Sequence, residues 1–517
     1  MTDWLRRVFW FTPLRKGLTV LLVLAVVAGL SYGGYRIANP DLTCATGVAR
    51  PEEGAECVGV SAGGYDFEVP ALGQVADAIA RENKKLKAGE YATVAVMLPL
   101  TSKDRGLRTK VLHEVQGAFL KQHSANTDDN GRLPKIRLVL ANTGNGNAHW
   151  QTTVRQLKGM VDGPDNLRAV SGVATSSAET KDAVTELTGS KIPVIGTTIT
   201  ADDIANGPGE DDNPYPGLAR VSPTNSDEAD AIARFAEVDA ANAVLVQDTR
   251  PGDHYTATLK RAFGKLLTDA PYAPELFTSP PDPNDEGTTA NTFRQITLTL
   301  CTTRADTVFF AGRHTQLRQF VNALGQRGCQ ERKFTVLTGD EGSYLGADKK
   351  LDKKALANKV TVQYASLAHP DAWKGPGTPK TGGSPAAYET FVERLDRAVT
   401  DPDIGPIGPI GPDSLTDGQA IIAYDAMATA VHGIRDATVK GEKLPEIRDV
   451  GTWWPHVKGD QKVEGASGWI CLDNHGNPYN KAVPIVELAP DGTQRFVEIA
   501  WPDGDPPAQD CLPPGAS

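Results

Sequence analysis

The chain has 517 residues, of which 40% are hydrophobic and 23% charged, and a formal net charge of −11. That length exceeds one small core and implies two to four domains. Residues 1 to 16 hold four basic residues and one acidic, which leaves about −14 on the remainder, a balance that excludes nucleic acid as a partner and gains little from anionic lipid.

Residues 17 to 35, GLTVLLVLAVVAGLSYGGY, carry no charge over nineteen positions, enough helix to cross a hydrocarbon core of about 30 Å. Arg6, Arg7, Arg15 and Lys16 precede them. The positive-inside tendency then predicts a basic cytoplasmic tail (1–16), a single transmembrane helix (17–35) and a cell-membrane protein with the bulk of its chain extracellular. A cleaved signal peptide competes with this reading, because Leu18 to Leu30 is short enough for its apolar region; no small-x-small cleavage site follows, and Cys44 lacks the setting of a lipidated cysteine. Six cysteines, all beyond the apolar segment and none in C-x-x-C spacing, predict disulfides rather than zinc or redox chemistry. Six cysteines allow fifteen pairings. The pairs close along the chain, Cys44 with Cys57, Cys301 with Cys329 and Cys471 with Cys511, are the ones expected.

Residues 36–90 form a juxtamembrane segment with the first disulfide and a helical pattern from Leu72 to Lys87. From Tyr91 apolar strands alternate with amphipathic helices: ATVAVMLPL, KIRLVLA, RAVSGVA and KIPVIG, each followed by helical spacing. After LARVSPTNSDEADAIARFAE the alternation restarts with AVLVQD, DTVFFAG, KFTVLTG and KVTVQYA. Near-continuous apolar strands separated by helices predict parallel sheets covered on both faces, and two such runs predict two sheets. Residues 206–217 and 279–291 read as acidic, solvated loops. GPIGPIGP (405–412) is too brief for collagen and too apolar for a free linker, and suggests no function.

Within SGVATSSAETKDAV, Thr175, Ser176 and Ser177 lie where a strand turns into a helix. Unpaired N–H groups at a helix start, beside hydroxyls, suit a carboxylate. The plainer reading makes Ser177 a helix cap and Thr175 and Ser176 turn residues. Other motifs fail on spacing. TGNGNAH has His149 at the third glycine position of a dinucleotide loop. VEGASGWI is one residue short of a nucleophile elbow, and Lys181 stands four residues after Ser177 where a serine acylase needs three. With no HExxH pair and no Walker loop, neither an enzyme nor a metal or cofactor is expected.

From Tyr91 to about Leu512 the order of segments resembles the type I periplasmic binding proteins, in particular the branched-chain amino acid (Leu/Ile/Val) binding group and its receptor relatives. ATVAVMLPLTS resembles the family's opening strand, SGVATSSAETKDAV its carboxylate-holding turn, KIPVIGTTITADDI the next ligand loop, AVLVQDTRPGDHYTATLKRAF the second-lobe strand and helix, TVLTGDEGSYL the acidic turn, and VEGASGWICLDNHGNPYNKAVPIVEL the closing hairpin. The resemblance implies an α/β fold of two Rossmann-like lobes with parallel sheets and a three-crossing hinge. The lobes are expected at 91–225 and 366–456 (first) and 226–365 and 457–517 (second), with crossings near 221–226, 363–368 and 453–459. It also implies a ligand site of Thr175, Ser176, Ser177, Thr198, Thr200 and Tyr255, with Asp340 or Glu341, slightly favouring Glu341, as acid for a ligand ammonium. The expected function is a membrane-anchored protein that binds an amino acid or amide-like solute, with an ABC permease or a membrane signalling protein as partner. The alternative is a receptor or interaction module that keeps the bilobed shell without the small-molecule site.

Overall fold

The structure is a computed structural model and describes residues 4, 9–10, 12–38, 42–128, 132–207, 212–282, 285–375 and 377–514. Arg6 and Arg7 of the expected basic tail lie outside these residues, as do 208–211 and 283–284 of the two acidic loops.

Two sheets carry the fold, each the centre of one lobe. The first has eight strands in the spatial order Thr43–Ala45, Val48–Ala49, Val58–Ser61, Lys135–Asn142, Tyr91–Leu98, Leu167–Gly172, Val194–Gly196 and Leu218–Arg220. The last five are parallel; the first three extend the edge antiparallel. Segment 36–90, read from sequence as a juxtamembrane segment, thus supplies three strands of the sheet. In the second sheet the order is Glu275–Phe277, Ala243–Asp248, Thr307–Ala311, Phe334–Thr338, Val360–Ala365, Val483–Leu488 and Gln494–Ala500, five parallel strands finished by an antiparallel pair. Strands such as Leu167–Gly172 and Ala243–Asp248 are buried almost throughout, because helices cover both faces, and so they read as apolar runs without alternation.

The helix Arg105–Thr127 packs along Gln419–Asp436 on the first lobe, and Gly117 permits the approach: a Cβ there would lie 2.1 Å from the Ala420 carbonyl oxygen. Residues 405–412 now have a structural role. Ile404 and Ile407 are buried in that lobe's core, and Gln116 and Arg81 bond the carbonyls of Ile407 and Ile404.

The chain leaves the first sheet after Arg220 and the second after Ala365, close to the expected crossings. Segment 457–517, expected wholly in the second lobe, is divided instead. The hairpin Val463–Gly465/Gly468–Ile470 belongs to the first lobe, where buried Asp425 accepts from the Ala466 and Ser467 N–H groups (2.7 and 2.8 Å) and from the Ser467 hydroxyl, and Lys481 Nζ donates to the Ser467 carbonyl (2.6 Å). The chain rejoins the second sheet only at Val483. After Ala500 the tail returns to the first lobe, with Trp501 against Gly382 and Cys511 bonded to Cys471.

All three expected disulfides are present, with Cα separations of 6.1, 5.8 and 6.3 Å for 44–57, 301–329 and 471–511. Closing the 28-residue separation of the second contributes about 3 to 4 kcal/mol in the chain-entropy account. The membrane anchor is corrected. Residues 13–38 form a helix that carries Arg15 and Lys16 in its first turn and Arg36 in its last, and among the described residues no helix is long and apolar enough to cross a membrane. The expected single-pass placement, with the N-terminus in the cytoplasm and the membrane as partner through that helix, therefore does not hold.

Candidate functional site

In open α/β sheets ligands sit beyond the carboxyl ends of parallel strands, and these two sheets aim those ends at one another. Strand Leu167–Gly172 ends in the turn 173–177. Val173 and Thr175 are held there at φ 55° and 70°, strained for β-branched residues. Asn147 Nδ2 bonds the Thr175 hydroxyl at 3.1 Å. Across the cleft, strand Thr307–Ala311 leads into Arg313 two residues on, and Phe334–Thr338 leads into Asp340 and Glu341.

A small cavity of about 30 Å³ lies between them, lined by Thr175, Ser176, Thr198 and Thr200 of the first lobe and by Tyr255, Asp340 and Glu341 of the second, together with Lys110, Glu114, Arg313 and Tyr344. Seven of the eight expected ligand residues therefore meet in one place. Ser177 is the exception: its hydroxyl caps helix Ala178–Gly189 through Thr180 N–H at 3.3 Å. The volume suffices for a water or two, so a solute enters only if the lobes part or side chains move. The lobes touch directly along this seam: the Ser176 carbonyl accepts from Tyr255 N–H (3.2 Å) and from Arg313 Nη2 (3.4 Å), and Ser177 pairs with Asp253.

Arg313, which sequence reading missed, organises the second-lobe wall. Its Nε and Nη2 bond both oxygens of Asp253 (2.8 and 2.9 Å), and Nη1 bonds Glu341 (2.8 Å). Glu341 also accepts from the His314 N–H (3.0 Å) and lies 2.7 Å from His314 Nδ1. Burial would raise the Glu341 carboxyl, but Arg313 and His314 hold it well below the usual range. Asp340 is placed differently. Burial and the neighbouring Glu341 charge push it up to about 6, and its Oδ1 is enclosed without a hydrogen-bond partner.

Glu114 is buried on helix Arg105–Thr127, 2.6 Å from the Thr197 hydroxyl, which also lies 3.0 Å from the Gly172 carbonyl. Burial raises the Glu114 carboxyl to about 7, against the bond from the Thr197 hydroxyl and the Lys110 charge, which both lower it. The folded state therefore keeps a proton that the unfolded chain releases. The stability from neutral Glu114 is full below the unfolded value of 4.5 and is lost as pH rises through about 7. That loss is about 3 kcal/mol for this buried group. Glu114→Gln should accordingly melt near wild type at pH 5 and above it at pH 8, the gap widening with pH; parallel melting curves across that range would dismiss the proton.

No family model matches the sequence, and no curated protein does. Among solved structures, the chain is similar to the leucine-binding protein LivK of Thermotoga maritima (16% identity, 80% of this chain and 99% of that one, TM-score 0.55). It is also similar to LivJ of Streptococcus pneumoniae in complex with isoleucine (16%, 80% and 99%, TM-score 0.56). A third is an ABC transporter solute-binding protein of Rhodopseudomonas palustris in complex with p-hydroxybenzoic acid (14%, 79% and 96%, TM-score 0.53). At such identity the likeness establishes the fold: the chain has the two-lobed α/β architecture of the type I periplasmic binding proteins.

Proposed function

We propose that this chain is a solute-binding protein which holds a small carboxylate-bearing solute, an amino acid or a related acid, between its lobes and delivers it to an ABC-type transporter. The observation that carries this reading is the convergence of strand ends from two parallel sheets on one buried, polar cavity. The neighbours that bind leucine, isoleucine and an aromatic acid support it, and as substrate-binding proteins they support binding rather than catalysis. We assign the first lobe to residues 43–222 and 367–482, and the second to 225–366 and 483–500. Ser176 and the threonines at 175, 198 and 200 receive the solute carboxylate. Asp340, with a free oxygen, takes an ammonium in preference to Glu341, which Arg313 and His314 already occupy.

Calorimetric titration with L-leucine, L-isoleucine and 4-hydroxybenzoate tests the reading. Ser176→Ala should weaken binding about ten- to hundredfold, the worth of one charge-assisted hydrogen bond. It should also cost the empty protein about 1 kcal/mol, because the Ser176 hydroxyl accepts from the buried Ala201 N–H at 3.2 Å. A loss of melting temperature with unchanged affinity would reduce the hydroxyl run to turn chemistry.

A further inference from the structure

A buried cation, with acids near it but none bonded to it, stands at the wall between the inner cavity and a larger outer chamber. Lys110 is 5% exposed. Its Nζ donates to the Ser343 hydroxyl at 2.6 Å and sits 3.3 Å from the centre of the Tyr344 ring, yet it makes no ion pair among the described residues. Withdrawing an ammonium from water costs several kcal/mol unless an anion faces it. The carboxylates around it are committed elsewhere: Asp417 lies 2.6 Å from His113 Nδ1, Glu341 is held by Arg313 and His314, and Glu114 is bonded to Thr197. Asp340, the remaining neighbour, faces the inner cavity and is assigned to the solute ammonium.

The outer chamber measures about 640 Å³ and is walled by both lobes, within the span of roughly 300–1,000 Å³ typical of small-molecule sites. Lys110 and Tyr344 line both compartments. Among the chamber's acids, Glu286 pairs with Arg318 and Lys350, Asp348 pairs with Arg318, and Asp104 caps the helix that carries Lys110. Two exposed cations on opposite lobes, Arg105 and Lys349, make no ion pair among the described residues. The Tyr344 ring is stacked on His314 at 4.2 Å and carries the Lys110 ammonium, so the chamber offers charge rather than a free aromatic face.

We propose that Lys110 receives a second anionic group of the solute, so that the preferred ligand is a small diacid whose far carboxylate or phosphate reaches from the inner cavity into the chamber between Arg105 and Lys349. This inference rests on the solute-binding reading and narrows its ligand class. Titration of the full chain with L-leucine, L-glutamate and O-phospho-L-serine tests it. Wild type should bind at least one diacid tenfold or more tightly than L-leucine, and the two diacids distinguish a carboxylate from a phosphate at the far end. Lys110→Met should cut the ratio of diacid to leucine affinity at least tenfold, and Lys110→Arg should restore most of it. Equal affinity of wild type for L-leucine and both diacids, or a ratio unmoved by Lys110→Met, overturns the Lys110 assignment while leaving solute binding intact. Failure of all three to bind overturns this inference, and failure of L-isoleucine and 4-hydroxybenzoate as well overturns solute binding. Because Lys110→Met removes an unpaired buried charge, its melting temperature should hold or rise; if the variant fails to fold, the wild-type preference alone decides.

Discussion

Arg313→Met is expected to destabilise the empty protein by about 3 to 5 kcal/mol, the usual cost of stripping a buried ion-pair network of its central member. The guanidinium answers Asp253 through two bonds and Glu341 through a third, and the side chains of both acids are less than one-tenth exposed. Without it both carboxylates must find protons or water. Asp253 retains Arg250 and Glu341 retains His314, so the loss falls short of two naked charges. Chemical denaturation, with the second-lobe transition followed separately, measures it. A loss below about 1 kcal/mol would mean that those remaining cations suffice and that Arg313 is dispensable to the wall.

Asp340→Asn should weaken binding of an amine-bearing solute such as L-leucine about fifty- to hundredfold, since it removes a charged acceptor from an enclosed site. The same change should leave 4-hydroxybenzoate, which has no amine, far less affected. In wild type the carboxyl titrates at about 6, so affinity for the amine should climb as pH rises through that value and the ammonium gains its counter-charge. In the variant the climb should vanish. Equal losses for both solutes, or a variant that keeps the climb, would move the ammonium site to another acid. The sign for stability is opposite: a raised carboxyl pKa costs the empty fold as pH rises, so Asp340→Asn should melt higher than wild type at pH 8.

Much of this architecture was legible because its strands are buried on both faces and its hydroxyls cluster at one strand end. The run at 175–177 could be read from local spacing, and the pairing of cysteines from proximity along the chain. Arg313 was not read, although the logic applied to Thr175 would have found it: TVFFAGRH places charge directly after an apolar parallel strand. Lys110 and Glu114 left a fainter trace. Helix Arg105–Thr127 is buried on nearly all sides, so no polar stripe sets its functional charges apart from its core. The choice between Asp340 and Glu341 turns on which acid other residues already occupy, a matter of tertiary contacts that no window of sequence contains. The apolar N-terminal run, its length and the basic residues before it predict a membrane helix, yet among the described residues no helix is long and apolar enough to cross a membrane.

The Cys471–Cys511 bond alters the connectivity of the molecule. Its loop starts and ends on the first lobe and contains the second sheet's antiparallel pair, Val483–Leu488 with Gln494–Ala500. Three backbone passages therefore join the lobes before the tail's return, which the sulfur bridge closes into a ring. A single peptide-bond cut between Cys471 and Cys511 leaves every residue of both lobes in one covalent piece, and a cut at any one of the passages does not by itself release a fragment of the second sheet's hairpin.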